Sequence, residues 1–183
     1  MSVPRVIVRG MVYIALLRAI NLAAKRRVAM ADLRAWLTGL GYDDVRTLLQ
    51  SGNAVFSTKK KLATVRKEVE AVLEEGAGFH IDCVLRTADE LRAVVAADPL
   101  GAVATNPSRY FVSFMDVAAE WPEIDAAAFE PERVHFAERE AYFWVPEGTQ
   151  NSKLLAAFPA RKGQIATMRN WNTVTKLLAM TEK

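Results

Sequence analysis

The stretch Val45-Arg-Thr-Leu-Leu-Gln50-Ser51-Gly52-Asn53-Ala-Val-Phe-Ser57 decides how the fold is read. Residues that favour β-structure lie on both sides of Ser51-Gly52, and a two-residue loop containing glycine is a hairpin signal. Two short strands, Val45–Gln50 and Asn53–Ser57, are therefore predicted. Upstream, Met30, Leu33, Leu37 and Leu40 recur at helical spacing with Trp36 beside them, and Gly39–Gly41 ends that helix. Before it, the apolar run from Val8, interrupted by Arg9 and Gly10, predicts a strand at Val12–Leu17. The first six residues, with Pro4, read as a tail. Downstream, Leu62, Val65, Val69 and Val72 mark a second amphipathic helix ending near Gly76, and Ile81–Leu85 reads as a strand. The order is β-α-β-β-α-β, the ferredoxin-like split βαβ pattern, in which both apolar stripes can cover one face of an antiparallel sheet.

Beyond it the chain echoes this order. Thr87 and Glu90 form a capping box that opens a helix with Leu91, Val94 and Val95 on its apolar face, and Asp98-Pro99 stops it. Tyr110–Met115 reads as a strand, Pro122–Ala128 as a short helix, and Val134–Ala137 with Ala141–Val145 as a second hairpin. Asn151 can cap a helix through Phe158, and a final helix covers about Asn170–Met180. The expected class is α+β: two packed ferredoxin-like halves, β-α-β-β-α-β and β-α-β-β-α, with antiparallel sheets. The expected boundary separates residues 1–86 from 87–183. No linker-like segment intervenes, so the halves are expected to pack on each other.

The 183 residues suffice for one large or two small packed units. A chain of this size buries roughly 70% of its extended surface and needs no staple. No apolar run is long enough to span a bilayer, and the run Met11–Ile20 carries Arg18 and lacks a cleavage pattern. No membrane association is expected. A single cysteine, Cys83, rules out an internal disulfide and suits a reducing, cytoplasmic setting. The net charge of +3 hides an asymmetry. Residues 1–86 hold 14 Lys/Arg against 8 Asp/Glu, residues 87–150 hold 4 against 12, and residues 151–183 hold 6 against 1. Two basic ends flank an acidic middle. They are either solvated surface or, if they meet, an anion-attracting region.

Several chemistries lack their residues. His80 and His135, both read as strand residues, have no partner at metal-ligand spacing, and no C-x-x-C or H-E-x-x-H motif occurs, so no metal is expected. Gly76 and Gly78 follow a helix instead of preceding one, which excludes a dinucleotide-type phosphate loop, and no cofactor is expected. Cys83 reads as buried and structural, Ser51 as a turn residue without a base, and Asp43-Asp44 and Glu74-Glu75 as solvated carboxylates.

Two segments carry more polar character than a fold requires. Arg18 and Asn21 stand where the first strand ends, followed by Lys25, Arg26 and Arg27. Arg169, Asn170 and Asn172 stand where the last helix begins, followed by Lys176. Lys153, at another helix start, adds a weaker element. An arginine fork, a lysine point charge and helix N–H groups can together hold an anion. Each also has a plainer reading, as loop solvation, ion pairing or capping.

The same residues carry a resemblance. Tyr13-Ile-Ala-Leu-Leu-Arg18-Ala-Ile-Asn21 with Val28–Leu33, then Val45–Phe56, then Arg169-Asn-Trp-Asn172-Thr-Val-Thr-Lys176-Leu, resemble three successive signatures of the bacterial family called domain of unknown function 1697. The resemblance spans about Val12 to Met180. It implies an α+β fold of ferredoxin-like character and brings no established activity. Family members usually read Arg-Gly-Ile-Asn followed by a Gly-Gly pair, and Ala19 and Ala23-Ala24 stand in those places here.

The leading expectation is binding of an anionic, phosphate-bearing ligand, nucleic acid being one candidate, without catalysis. The residues for it are Arg18, Asn21, Lys25, Arg26, Arg27, Asn53, Lys153, Arg169, Asn172 and Lys176. If an RNA-binding sheet face were used, Tyr13 and Phe56 would be its aromatics, with core packing the stronger reading for Phe56. Two alternatives stay open. One is a small-molecule enzyme acting on a phosphorylated or carboxylated substrate in a cleft between the halves. The other is a structural or interaction module in which these polar residues tie the halves together. The sequence leaves oligomeric state open.

Overall fold

The computed structural model describes residues 10–159 and 161–183. The tail expected for residues 1–6 lies outside them. The described chain is α+β, with two four-stranded antiparallel sheets and five α-helices. The first sheet contains β1 (Met11–Leu17), β2 (Asp43–Leu48), β3 (Asn53–Thr58) and β4 (Cys83–Thr87), in the order β2-β3-β1-β4. The second contains β5 (Tyr110–Met115), β6 (Arg133–Phe136), β7 (Glu140–Trp144) and β8 (Ala166–Asn170), in the order β6-β7-β5-β8. Each sheet therefore places its own first and third strands at the centre. The helices are α1 (Met30–Gly39), α2 (Leu62–Ala77), α3 (Ala88–Ala97), α4 (Lys153–Ala157) and α5 (Trp171–Thr181).

Alternation along the strands decides what each helix covers. From the first sheet, Tyr13, Ala15, Leu17, Ala54, Phe56 and Leu85 face α1 and α2. Ile14, Leu16, Val55 and Val84 face the other way. There they meet Leu91 and Val94 of α3, Val174 and Leu177 of α5, and the inner residues Tyr110, Val112, Phe114, Tyr142 and Trp144 of the second sheet. The outer face of the second sheet packs Phe143, Met115 and Ala141 against Leu154 of α4 and against Trp121, Phe129 and Phe158. Both faces of the first sheet are therefore covered. Tyr13 and Phe56 are fully buried and stack on each other at 5.9 Å, so neither can serve as a base-stacking platform.

Several expectations need correction. The second half contains a strand, β8, that the β-α-β-β-α reading omitted. The helix expected at Pro122–Ala128 is a single 3₁₀ turn, Ala126–Phe129, capped by Asp125. It is too short an apolar segment to sustain α-helical bonding. Ser152 caps α4 in place of Asn151. The first hairpin has a wider turn, because Leu48 pairs with Asn53. His80 lies in the loop before β4, not in a strand. The capping box stands as expected: Glu90 N–H donates to Thr87 Oγ1 at 3.2 Å and Thr87 N–H to Glu90 Oε2 at 2.8 Å.

Candidate functional site

The loop between β1 and α1 carries Arg18, Asn21, Lys25, Arg26 and Arg27. Asn21 is its clamp. The Asn21 amide donates to Val28 O at 2.9 Å and Gln50 O at 2.7 Å, and its Oδ1 accepts from Val28 N–H at 2.9 Å. One side chain thus closes the loop on itself and ties it to the β2–β3 turn. Arg26 is also occupied: Nε donates to Ala19 O, Nη2 donates to His80 O at 2.8 Å, and the guanidinium lies over the Phe79 ring. Arg18 reaches Asp82 at 3.5 Å with a half-exposed side chain. Lys25 and Arg27 are exposed, and no ion pair engages them among the described residues.

Arg169 sits behind this loop. Although β8 is an edge strand of the second sheet, its inward alternation sends this side chain into the first. Nε donates to Asn53 Oδ1 at 2.6 Å, Nη1 to Thr167 Oγ1 at 2.7 Å and Met168 O at 3.0 Å. Nη2 donates to Leu17 O at 2.6 Å and to Ser51 O and Gly52 O at 3.3 Å. Asn53, fully buried, donates in turn to Leu48 O at 2.7 Å. The guanidinium therefore holds the ends of β1 and the β2–β3 turn together. All its acceptors are neutral oxygens. Burial lowers it to about 10, offset only by the Cys83 sulfur, so it stays charged at neutral pH. Burial likewise pushes the Cys83 thiol up to about 12, which leaves it a packing residue.

The remaining candidates lie apart. The Asn172 amide donates to Ser108 Oγ at 3.0 Å, and Lys176 is exposed on α5. Asn170, not Arg169, engages the start of α5, accepting from Thr173 N–H at 3.0 Å. Lys153 begins α4, where the Glu132 carboxylate already accepts from Leu154 N–H at 2.9 Å and so occupies the place an anion would take. Among the described residues no hydrogen bond or ion pair joins Lys153, Asn172 or Lys176 to the β1–α1 loop. Asn53 and Arg169 are buried in the shared interior and do not line an open cleft with Arg18.

Backbone strain concentrates at the same end. Ala19, Asn21 and Leu49 adopt φ of 54°, 55° and 60°, a region costly for residues with a Cβ. Gly52 adopts 87°, and a Cβ there would meet Leu17 Cβ at 2.8 Å. Leu22 and Leu49 are exposed nearby. His80 Nε2 donates to Asp82 Oδ1 at 3.0 Å, and its other ring nitrogen lies 3.6 Å from Glu74; these carboxylates hold its pKa above the ordinary histidine value.

Arg86 was not singled out by sequence reasoning. It is 1% exposed and donates through Nε and Nη2 to Glu140 Oε1, at 3.0 and 2.9 Å, and through Nη2 to Met115 O at 2.8 Å. A lone arginine inside Cys83–Thr87, otherwise apolar up to its closing threonine, was the available signal. Among the described residues no three His, Cys, Asp or Glu side chains converge as a metal site, and no helix is long and apolar enough to cross a membrane.

Comparison with known proteins agrees with this architecture. A solved structure, that of the conserved bacterial protein SP0830 from Streptococcus pneumoniae, superposes with a TM-score of 0.74 at 23% identity, covering 95% of this chain and 99% of that one. At that identity the likeness concerns the fold. No curated protein matches. The family described as "Protein of unknown function (DUF1697)" matches residues 11–142, which takes in the β1–α1 loop and the β2–β3 turn, while the Arg169 segment lies beyond the match. The chain belongs to the DUF1697 family.

Proposed function

We propose that the protein binds an anionic, phosphate-bearing ligand without catalysis, on the surface formed by the β1–α1 loop and the β2–β3 turn. The observation that carries this reading is the buried Arg169 guanidinium, which no carboxylate accompanies among the described residues. A charge held in a low-dielectric interior acts over a longer distance than one in water. Lys25 and Arg27 add exposed charge in front of it, the half-exposed Arg18 stands beside them paired to Asp82, and Asn21 keeps the loop in place. Asn53 and Arg169 contribute from behind, by position and field, and Lys153, Asn172 and Lys176 are peripheral to this surface. Nucleic acid would be held through its phosphates, since both sheet faces are covered.

The strand order β2-β3-β1-β4, repeated as β6-β7-β5-β8, supports reading residues 1–86 and 87–183 as two ferredoxin-like halves. The lone, buried Cys83 supports a cytoplasmic setting. One observation favours the rival reading as a structural module: every guanidinium nitrogen of Arg169 already has protein acceptors.

Titration of labelled oligothymidylate and of pyrophosphate at low salt tests the proposal. Micromolar-range binding that weakens with salt, with a log–log slope of about −2 for three phosphate contacts on a single strand, is expected. The double variant Lys25→Gln, Arg27→Gln should flatten that slope. Absence of binding to both probes, or binding unaffected by the double variant, leaves the structural module as the reading.

A further inference from the structure

The outer face of the second sheet contains a cavity of about 440 Å³. Its cause is legible in the register. Ser113, at the centre of β5, pairs with Ala141 of β7 on one side and Met168 of β8 on the other, and Ala166 lies next along β8. Three small side chains in the middle of an otherwise bulky face leave a depression. Trp121, Phe143, Leu155 and Phe158 rise around it. These walls are braced without any ligand: Trp121 Nε1 donates to Ala137 O at 2.6 Å and its ring stacks on Phe136 at 4.4 Å, while Phe136 meets Phe158 edge-on at 5.1 Å.

The polar groups at the cavity are few. The Ser113 hydroxyl has only the weakly accepting Met115 sulfur at 3.8 Å. Arg161 is exposed and, among the described residues of the lining, is the one charged side chain; none of them is a carboxylate. The groove between α3 and the β6–β7 hairpin differs: Glu90, Glu138 and Glu140 line it, and two of them are engaged by Arg139 and Arg86.

We infer that this cavity is a binding site for a small amphipathic monocarboxylate, its apolar body against Trp121, Phe143 and Phe158 and its carboxylate at Arg161. The volume lies within the range of small-molecule pockets, and apolar walls with a few convergent polar groups are their usual make-up. A single cation and no anion among the described lining residues select against cationic ligands. The site stands on the opposite face of the second sheet from Arg169, independently of the phosphate-binding surface.

Isothermal titration of the whole protein with decanoate and with decan-1-ol tests it. Saturable 1:1 binding of decanoate is expected, tighter than decanol. Arg161→Gln should weaken decanoate by about fivefold, the upper worth of an exposed ion pair, and leave decanol unchanged. Ser113→Leu, whose added bulk grows into the cavity, should abolish both. No saturable binding of decanoate, or binding that Arg161→Gln and a correctly folded Ser113→Leu both leave unaltered, overturns the assignment.

Discussion

Arg86 and Arg169 do the same mechanical work at two places and differ in electrostatics. Each leaves one sheet and grips carbonyls belonging to the other. Arg86 brings its charge to Glu140 and lies against the Phe114 ring, so its region is neutral. Arg169 meets only neutral oxygens. A buried ion pair can be replaced by apolar groups with little loss, but an unpaired buried charge persists only where geometry compels it or function uses it. The difference teaches that the two ties are not equivalent: Arg86 is neutralised in place, whereas Arg169 is held by neutral oxygens alone, at the end of the first sheet that also carries Lys25 and Arg27.

The largest effect expected from breaking this comparison is at Arg86. Arg86→Met strands the Glu140 carboxylate and should cost about 4 kcal/mol in denaturant unfolding, part of which Glu140→Gln in the same background restores. Arg169→Met strands no charge and should cost about 3 kcal/mol through unpaired buried oxygens, with no charge change elsewhere restoring it. Equal costs with equal rescue would remove the distinction. Ala19→Gly relieves the positive φ at one strained position and should add about 0.5 kcal/mol net of glycine's greater entropy loss. The smallest effect concerns pH. The hydrogen bond to Asp82, then that to Glu74, raises the His80 pKa above 6.5. Its contribution to folding is therefore complete below that value and is lost as pH rises through the raised pKa. Protonation also adds charge at the Arg169 end, so oligothymidylate affinity should rise about twofold as pH falls through that pKa. His80→Gln should remove the dependence.

Where apolar periodicity and turn chemistry agreed, the fold was legible. The elements of the first half, the Tyr110–Met115 strand and the Thr87–Glu90 box emerge because each is written in the local sequence, as apolar periodicity, turn residues or capping chemistry. Strand β8 did not, for a physical reason. It turns polar Thr167 and Arg169 inward and Ala166 and Met168 outward, the inverse of the usual pattern. Its polar interior is satisfied by residues more than a hundred positions away. The candidate site was legible as a list of polar residues at strand and helix ends. Which of them would be consumed as ties, as Asn21, Asn53 and Arg169 are, depends on the packing of one sheet against the other. The outer cavity has no signature in the sequence, because it arises from small residues meeting across three strands.

The layer of α3 and α5 carries one more consequence. Ile14, Leu16, Val55 and Val84 on one side and Val112, Phe114 and Tyr142 on the other are dehydrated by the same two helices. Neither sheet can shed that layer without wetting both. The two sheets therefore behave as one cooperative folding unit, and amide protons in β1 and β5 should exchange only through the same global opening, at the same free energy.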